Sequence, residues 1–169
     1  PISLSHFVEE LEMVKLDNRD AALVSPSKTI IGKQYILVHK MGHVPFKLFT
    51  KSGTYLRDIG SFGQGAGEYG LAYDAQMDEE NNRLYVLCWQ ADHILVFDLQ
   101  GNILQPIRLA HWSPKGIFHV ETERGRVHVC ALSFNRDFVG DRHSPMIWTQ
   151  SLDGRSEEHT SELQSPRTI

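Results

Sequence analysis

The chain has 169 residues, 41% hydrophobic and 22% charged, an ordinary globular composition for which disorder is the wrong default. Its 17 Lys and Arg against 21 Asp and Glu leave a net charge of -4 with the basic residues scattered, which removes the electrostatic footprint of a nucleic-acid binder. Cys88 and Cys130 are too few for a disulfide framework or a thiolate metal cluster, and no run approaches the roughly 18 apolar residues of a membrane-spanning helix.

The first residues, "PISLSHFVEELE", have neither a basic start nor an apolar signal core, and the chain opens on Pro1 rather than Met. "EMVKLD" (12–17) alternates like a strand. "KTIIGKQYILVH" (28–39) reads as strand, turn, strand, and "VPFKLFTKSGTYLRDIG" (44–60) as a hairpin around Gly53. Next comes "GSFGQGAGEYG" (60–70), with a G-x-G-x-x-G at Gly65, Gly67 and Gly70. That fingerprint cradles a phosphate only when a helix leaves it. Here "LAYDAQMDEENNRLYVLCW" follows, turn formers and then a β-branched and aromatic run, so the exit is a strand and the nucleotide reading fails.

A repeat now emerges. "HILVFDLQGNILQPIRL" (93–109) lines up with the hairpin at 44–60, its Gly101 lying 48 residues beyond Gly53. "YDAQMDEENNRLYVLC" repeats the earlier strand pair, and "IFHVETERGRVHVCAL" begins a third copy that continues to "MIWTQSLDG". Gly154 lies 53 residues beyond Gly101, the excess being an insertion around "NRDFVGDRHSP". First strands fall near Lys28 to Ile31, Ala72 to Met77 and Ile117 to Glu121, giving two complete four-strand units and three strands of a third. Four strands at this period are the sequence signature of a β-propeller blade.

The string "GQGAGEYGLAYDAQMDEENNRLYVLCWQADHILVFDLQGNIL" resembles the NHL-type repeat. The segment from Leu11 to Gly154 is similar to bacterial six-bladed propellers of unassigned function in which "GxGQGPGEY" joins blades. Two positions depart: Cys88 stands where NHL blades carry an Asp, and Ala66 where the joining motif has Pro. The expected fold over residues 1–154 is therefore all-β, a partial β-propeller of about two and three-quarter four-stranded antiparallel blades from a six-bladed ring. The resemblance implies a periplasmic or cell-envelope location and makes "EMVKLD" the strand that closes the last blade. Within the joining loop, Gly60, Gly63, Gly65 and Gly67 are expected to permit the turn and Tyr69 to plug the gap between blades, while Glu68 reads equally as an acceptor of loop amides or as a solvated carboxylate.

The tail, "RSEEHTSELQS" (155–165), matches at all eleven codons the in-frame translation of a common short-read library adapter. Residues 155–169 are accordingly expected to be disordered, His159 and the Glu157/Glu158 pair to carry no chemistry, and the third unit to lack its fourth strand.

Propellers bind ligands at the channel and its surrounding loops, so alternation nominates Lys28 or Thr29, Asp74 or Gln76, and Phe118 or His119. If Glu121 and Arg126 close a four-residue turn, His119 faces His128, a pair that is at best a weak metal site because a catalytic zinc needs a third protein ligand. His39 and His43 lie four apart in a strand running into a turn, the wrong geometry for shared ligation. Asp92 and His93 read as turn residues, and Ser25, Ser27 and Ser133 have no nucleophile-elbow context. Trp89, Trp112 and Trp148 form an aromatic shelf at one end or pack between blades. The sequence assigns no catalytic residue and requires no cofactor. It favours a non-catalytic module that recognises a protein, peptide or glycan, with a metal-dependent lyase or a lactone or ester hydrolase as the alternative, its ligands spread over several blades.

Overall fold

The computed structural model describes residues 8–24, 28–40, 45–65, 67–113, 115–131 and 146–157. His43, Ser25, Ser27, Ser133, Ala66 and the insertion at 135–145 lie outside them. The chain is all-β. Strands β1 (Lys28–Ile31), β2 (Tyr35–His39), β3 (Phe46–Thr50) and β4 (Tyr55–Ile59) form a first antiparallel sheet in sequence order. Strands β5 (Ser61–Phe62) and β6 (Glu68–Tyr69) pair in parallel within the glycine-rich link. Strands β7 (Ala72–Asp78), β8 (Arg83–Cys88), β9 (Ala91–Asp98) and β10 (Ile107–Ser113) make the second sheet. Strands β11 (Gly116–Glu121), β12 (Arg126–Ala131), β13 (Ile147–Ser151) and β14 (Ser156–Glu157) make the third.

Each sheet is a meander whose last hairpin turns on the same device. Gly53, Gly101 and Gly154 take φ of +92°, +96° and +84°, angles that a side chain resists. Three residues earlier, Thr50, Asp98 and Ser151 each accept a bond at the side-chain oxygen from the backbone N–H four residues on, Thr54, Asn102 and Arg155. The sequence spacing of the glycines thus corresponds to a repeated turn.

Pairing registers make the units superimposable in detail. Leu37, Tyr85 and His128 sit opposite Ile30, Gln76 and His119, and next to Leu48, Val96 and Thr149. Likewise Phe49, Phe97 and Gln150 occupy one equivalent position, and His39, Leu87 and Cys130 another. Both faces of a strand such as β8 are apolar because both are covered, which is why its pattern is a run rather than an alternation. Leu84 and Val86 pack with Leu37, Phe46, Leu48 and Ile59 of the first sheet. Tyr85 and Leu87 pack with Phe118, Val127, Val129 and Trp148 of the third. The second sheet is therefore the middle of three.

One expectation needs correction. The third sheet does gain a short fourth strand: Ser156 and Glu157 pair with Gln150 and Thr149, so the first residues of the tail are ordered onto β13. Backbone pairing asks only for a turn and a free edge, and both are present whatever the origin of the side chains. Segment 12–17 joins no sheet among the described residues, as expected of a closing strand without its partner blade. Instead Val14 and Leu16 pack on Ile36, Val38 and Phe49, and Asp17 donates its N–H to the Gly53 carbonyl at 2.8 Å.

Candidate functional site

The channel candidates of β7 turn out to be fasteners. Asp74 Oδ2 accepts the Phe118 N–H at 3.1 Å, and Gln76 grips Val120 from both sides, accepting its N–H at 2.7 Å and donating Nε2 to its carbonyl at 2.9 Å. Asp78 Oδ2 takes the Thr122 hydroxyl at 2.8 Å. These three side chains, two residues apart on one strand face, thereby bond β11 and its following turn, first strand to first strand. Burial alone would raise the Asp78 carboxyl, but the bonds from Asn81 and Thr122 outweigh it and hold the carboxyl below its usual range. On the other flank, Lys28 Nζ stands 3.8 Å from Asp74 Oδ1.

Sequence reasoning missed the counterpart fastener. Glu79 places one carboxylate against three consecutive amides of the first sheet's β1–β2 turn: Lys33 at 2.8 Å, Gln34 at 3.1 Å and Tyr35 at 2.9 Å. "DEENN" reads as turn formers, and nothing in that string announces that one carboxylate caps another turn 45 residues back. Gln150 was missed too. It is fully buried, its Oε1 accepting the Ala110 N–H and the Trp148 indole N–H while Nε2 donates to the Arg108 carbonyl. The repeat alignment carried the signal, since Gln150 stands where the other units have Phe.

His119 and His128 do face each other as the register requires, rings stacked with centroids 6.4 Å apart. His128 Nδ1 is bonded to Thr149 Oγ1 at 3.0 Å and its Nε2 lies 3.5 Å from Glu121 Oε2. Among the described residues no group of three or more His, Cys, Asp or Glu is placed to hold a metal. His39 is 3% exposed, its ring tilted against Phe46 with centroids 4.7 Å apart, and its Nδ1 lacks a partner among the described residues. Burial, then the Lys28 ammonium, push its pKa down. Burial also pushes the Cys88 thiol up to about 11, which leaves it inert as a nucleophile.

The glycine-rich link holds an anion of its own. Gly65 donates its N–H to Glu68 Oε2 at 2.9 Å, so the loop amide is answered by the chain's carboxylate and not by a phosphate. Tyr69 is buried between the first and second sheets beside Phe46 and Phe97, under Gly60, where any side chain would strike its ring. Gly60 and Gly67 take φ of +71° and +78°. Asp92 and His93 bond each other on the surface, and that bond holds the Asp92 carboxyl down.

The three tryptophans separate. Trp148 is buried between sheets, edge-on to His111. Trp89 is 53% exposed on the β8–β9 turn, where Gln90 takes φ of +55°. Trp112 donates its indole N–H to the Gln90 carbonyl at 3.3 Å, Trp89 donates its backbone N–H to Leu71, and Lys115 Nζ lies 4.7 Å from the Tyr73 ring. One end of the middle sheet thus gathers Tyr73, Trp89, Trp112 and Lys115.

A family model described as "Domain of unknown function (DUF4934)" matches residues 1–153. No curated protein matches the chain. The fold is similar to the crystal structure of a Bacteroides fragilis NCTC 9343 protein described as a "putative exported protein", with 21% identity and a TM-score of 0.63 over 84% of this chain. The present chain spans 39% of that structure's length. Among the described residues no helix is long and apolar enough to cross a membrane.

Proposed function

The chain belongs to the DUF4934 family, and from that premise we propose that it is a non-catalytic recognition module for a protein, peptide or glycan, engaged through the Trp89 end of the middle sheet. The carrying observation is Trp89, 53% exposed on a tight turn whose backbone N–H is bonded to Leu71, at the same end of the middle sheet as Tyr73 and the Lys115 ammonium over its ring. An aromatic plane already ordered by its backbone loses little entropy on stacking against a sugar or side chain, and a nearby cation adds attraction for polar partners. The polar residues that would otherwise suggest chemistry support the same reading, because Asp74, Gln76 and Glu79 are engaged by backbone groups of neighbouring sheets.

We read the three sheets as consecutive blades of a six-bladed NHL-like propeller, with Trp89 at a loop end of the ring. Two features support this: four-stranded meanders repeat at near-constant spacing, and segment 14–16 lies against the first sheet as an outer strand of a preceding blade would. Likeness to a protein described as exported supports a periplasmic or envelope location. The test is binding of the intact protein to peptide and glycan arrays, with Trp89→Ala. Loss of about tenfold or more in affinity, with the fold retained, is expected. Turnover of lactones, esters or polysaccharides by protein holding stoichiometric metal would overturn it.

A further inference from the structure

The second sheet has a neighbour packed on each face, so what it offers to a ligand is its strand ends. Where β8 turns into β9, Trp89 is 53% exposed and Asp92 has 78% of its side chain exposed. Leu87 pairs with Ile94, and the same register carried two residues further sets Trp89 across from Asp92, on one face of the hairpin. The turn backbone is fixed from both sides. The Trp89 N–H is bonded to the Leu71 carbonyl at 2.8 Å, and the Gln90 carbonyl accepts the Trp112 indole N–H at 3.3 Å.

His93 Nδ1 is bonded to Asp92 Oδ1, and that bond holds the Asp92 carboxyl below its usual range. A bond to an ionised carboxylate places the imidazole proton on Nδ1, and the exposed carboxylate keeps further lone pairs for donors from a ligand. Strands β8 and β9 are both interior to their sheet, paired on either side, so this turn offers an extended peptide no strand edge to join. Side chains must therefore read the ligand: a flat ring, a carboxylate and an imidazole. That set suits a pyranose, whose C–H face stacks on an indole while adjacent hydroxyls donate to a carboxylate.

We propose that the Trp89 end of the second sheet binds a glycan, one pyranose ring lying on the Trp89 indole with its hydroxyls held by Asp92, which His93 orients. The proposal rests on the reading of Trp89 as a recognition residue and narrows it to one class of ligand.

The experiment presents the full 169-residue chain to an array of cello-, malto-, manno- and galacto-oligosaccharides beside random peptides. The best binder is then titrated against Trp89→Ala, Trp89→Phe and Asp92→Ala, with folding checked by circular dichroism. Oligosaccharides alone are expected to be retained. Affinity should fall about tenfold or more in Trp89→Ala and in Asp92→Ala, and less in Trp89→Phe, which keeps a flat ring. Peptides retained in place of oligosaccharides, and lost in Trp89→Ala, would overturn the glycan assignment and leave the recognition reading standing. Retention of nothing, or retention undiminished in Trp89→Ala, would overturn both. Oligosaccharide binding that needs Trp89 but ignores Asp92→Ala would overturn the site as drawn.

Discussion

The two interfaces flanking the second sheet solve one packing problem with different chemistry. Between the first and second sheets the contact is aromatic, with Phe46 and Phe97 each against the Tyr69 ring and Glu79 capping a turn at the rim. Between the second and third an apolar core is flanked by amide and carboxyl groups, Asp74 and Gln76 on the first strands and Gln150 against β10 where a Phe would repeat. Both interfaces are packed with apolar side chains, and the second adds buried polar groups to them. Those groups fix register, because a buried amide displaced by one residue loses its partners and the cost of that loss exceeds the gain of the bond.

The largest effects should come from the residues that share one repeat position. Phe97→Ala is expected to cost about 3–5 kcal/mol in chemical denaturation, and Gln150→Ala about 2–4 kcal/mol, because the Trp148 indole, the Ala110 N–H and the Arg108 carbonyl lose their partner. If Gln150→Ala proved silent, the polar fastening would be incidental. Next come the rim and the zipper. Glu79→Ala and Gln76→Ala should each cost about 1–3 kcal/mol, and hydrogen exchange should report the difference: faster exchange at Lys33 to Tyr35 in the first variant and at Val120 in the second.

Smaller again is the turn. Gly53→Ala and Gly101→Ala share the strain of a positive φ, about 1 kcal/mol, but only Gly53→Ala drives a methyl into the Lys15 carbonyl, so its thermal transition should fall further. The smallest effect is a pH dependence belonging to one interface alone. His39 has its pKa pushed down, so its contribution is complete above the ordinary value of about 6.5 and is lost as pH falls through that value toward the folded one. His39→Leu, which copies Leu87 at the other interface, should flatten the decline in stability between about pH 7 and pH 5. An unchanged slope would show that the imidazole is solvated before it protonates.

Alternation, β-branched runs and glycine spacing made the strands, the hairpins and even the facing of His119 and His128 legible in the sequence, because each follows from local backbone geometry. The Glu68 and Tyr69 readings are met by the loop as well: one carboxylate answers its amide and one ring fills the space between sheets. The roles of Asp74 and Gln76 were not legible. Alternation says that a side chain leaves the sheet on a given face, yet it is silent on what stands opposite. Here that is the backbone of a strand 44 residues on, and only the folded arrangement of sheets supplies it. Sequence likewise presented three tryptophans as equals, whereas burial of Trp148 and exposure of Trp89 depend on which strand end each reaches.

The polar bridges between sheets span nearly constant lengths of chain: 44 to 46 residues from Glu79 back to the β1–β2 turn, 44 from β7 to β11, and 40 to 42 from Gln150 back to β10. Each sheet is also closed within itself by neighbouring hairpins. During synthesis, a unit emerging from the ribosome therefore finds its mate already folded immediately upstream, and none of these bridges has to wait for a distant part of the polypeptide. Such a chain can acquire structure from its amino end in steps of about one unit, so that a pulse of protease during translation should leave fragments ending at the links between sheets.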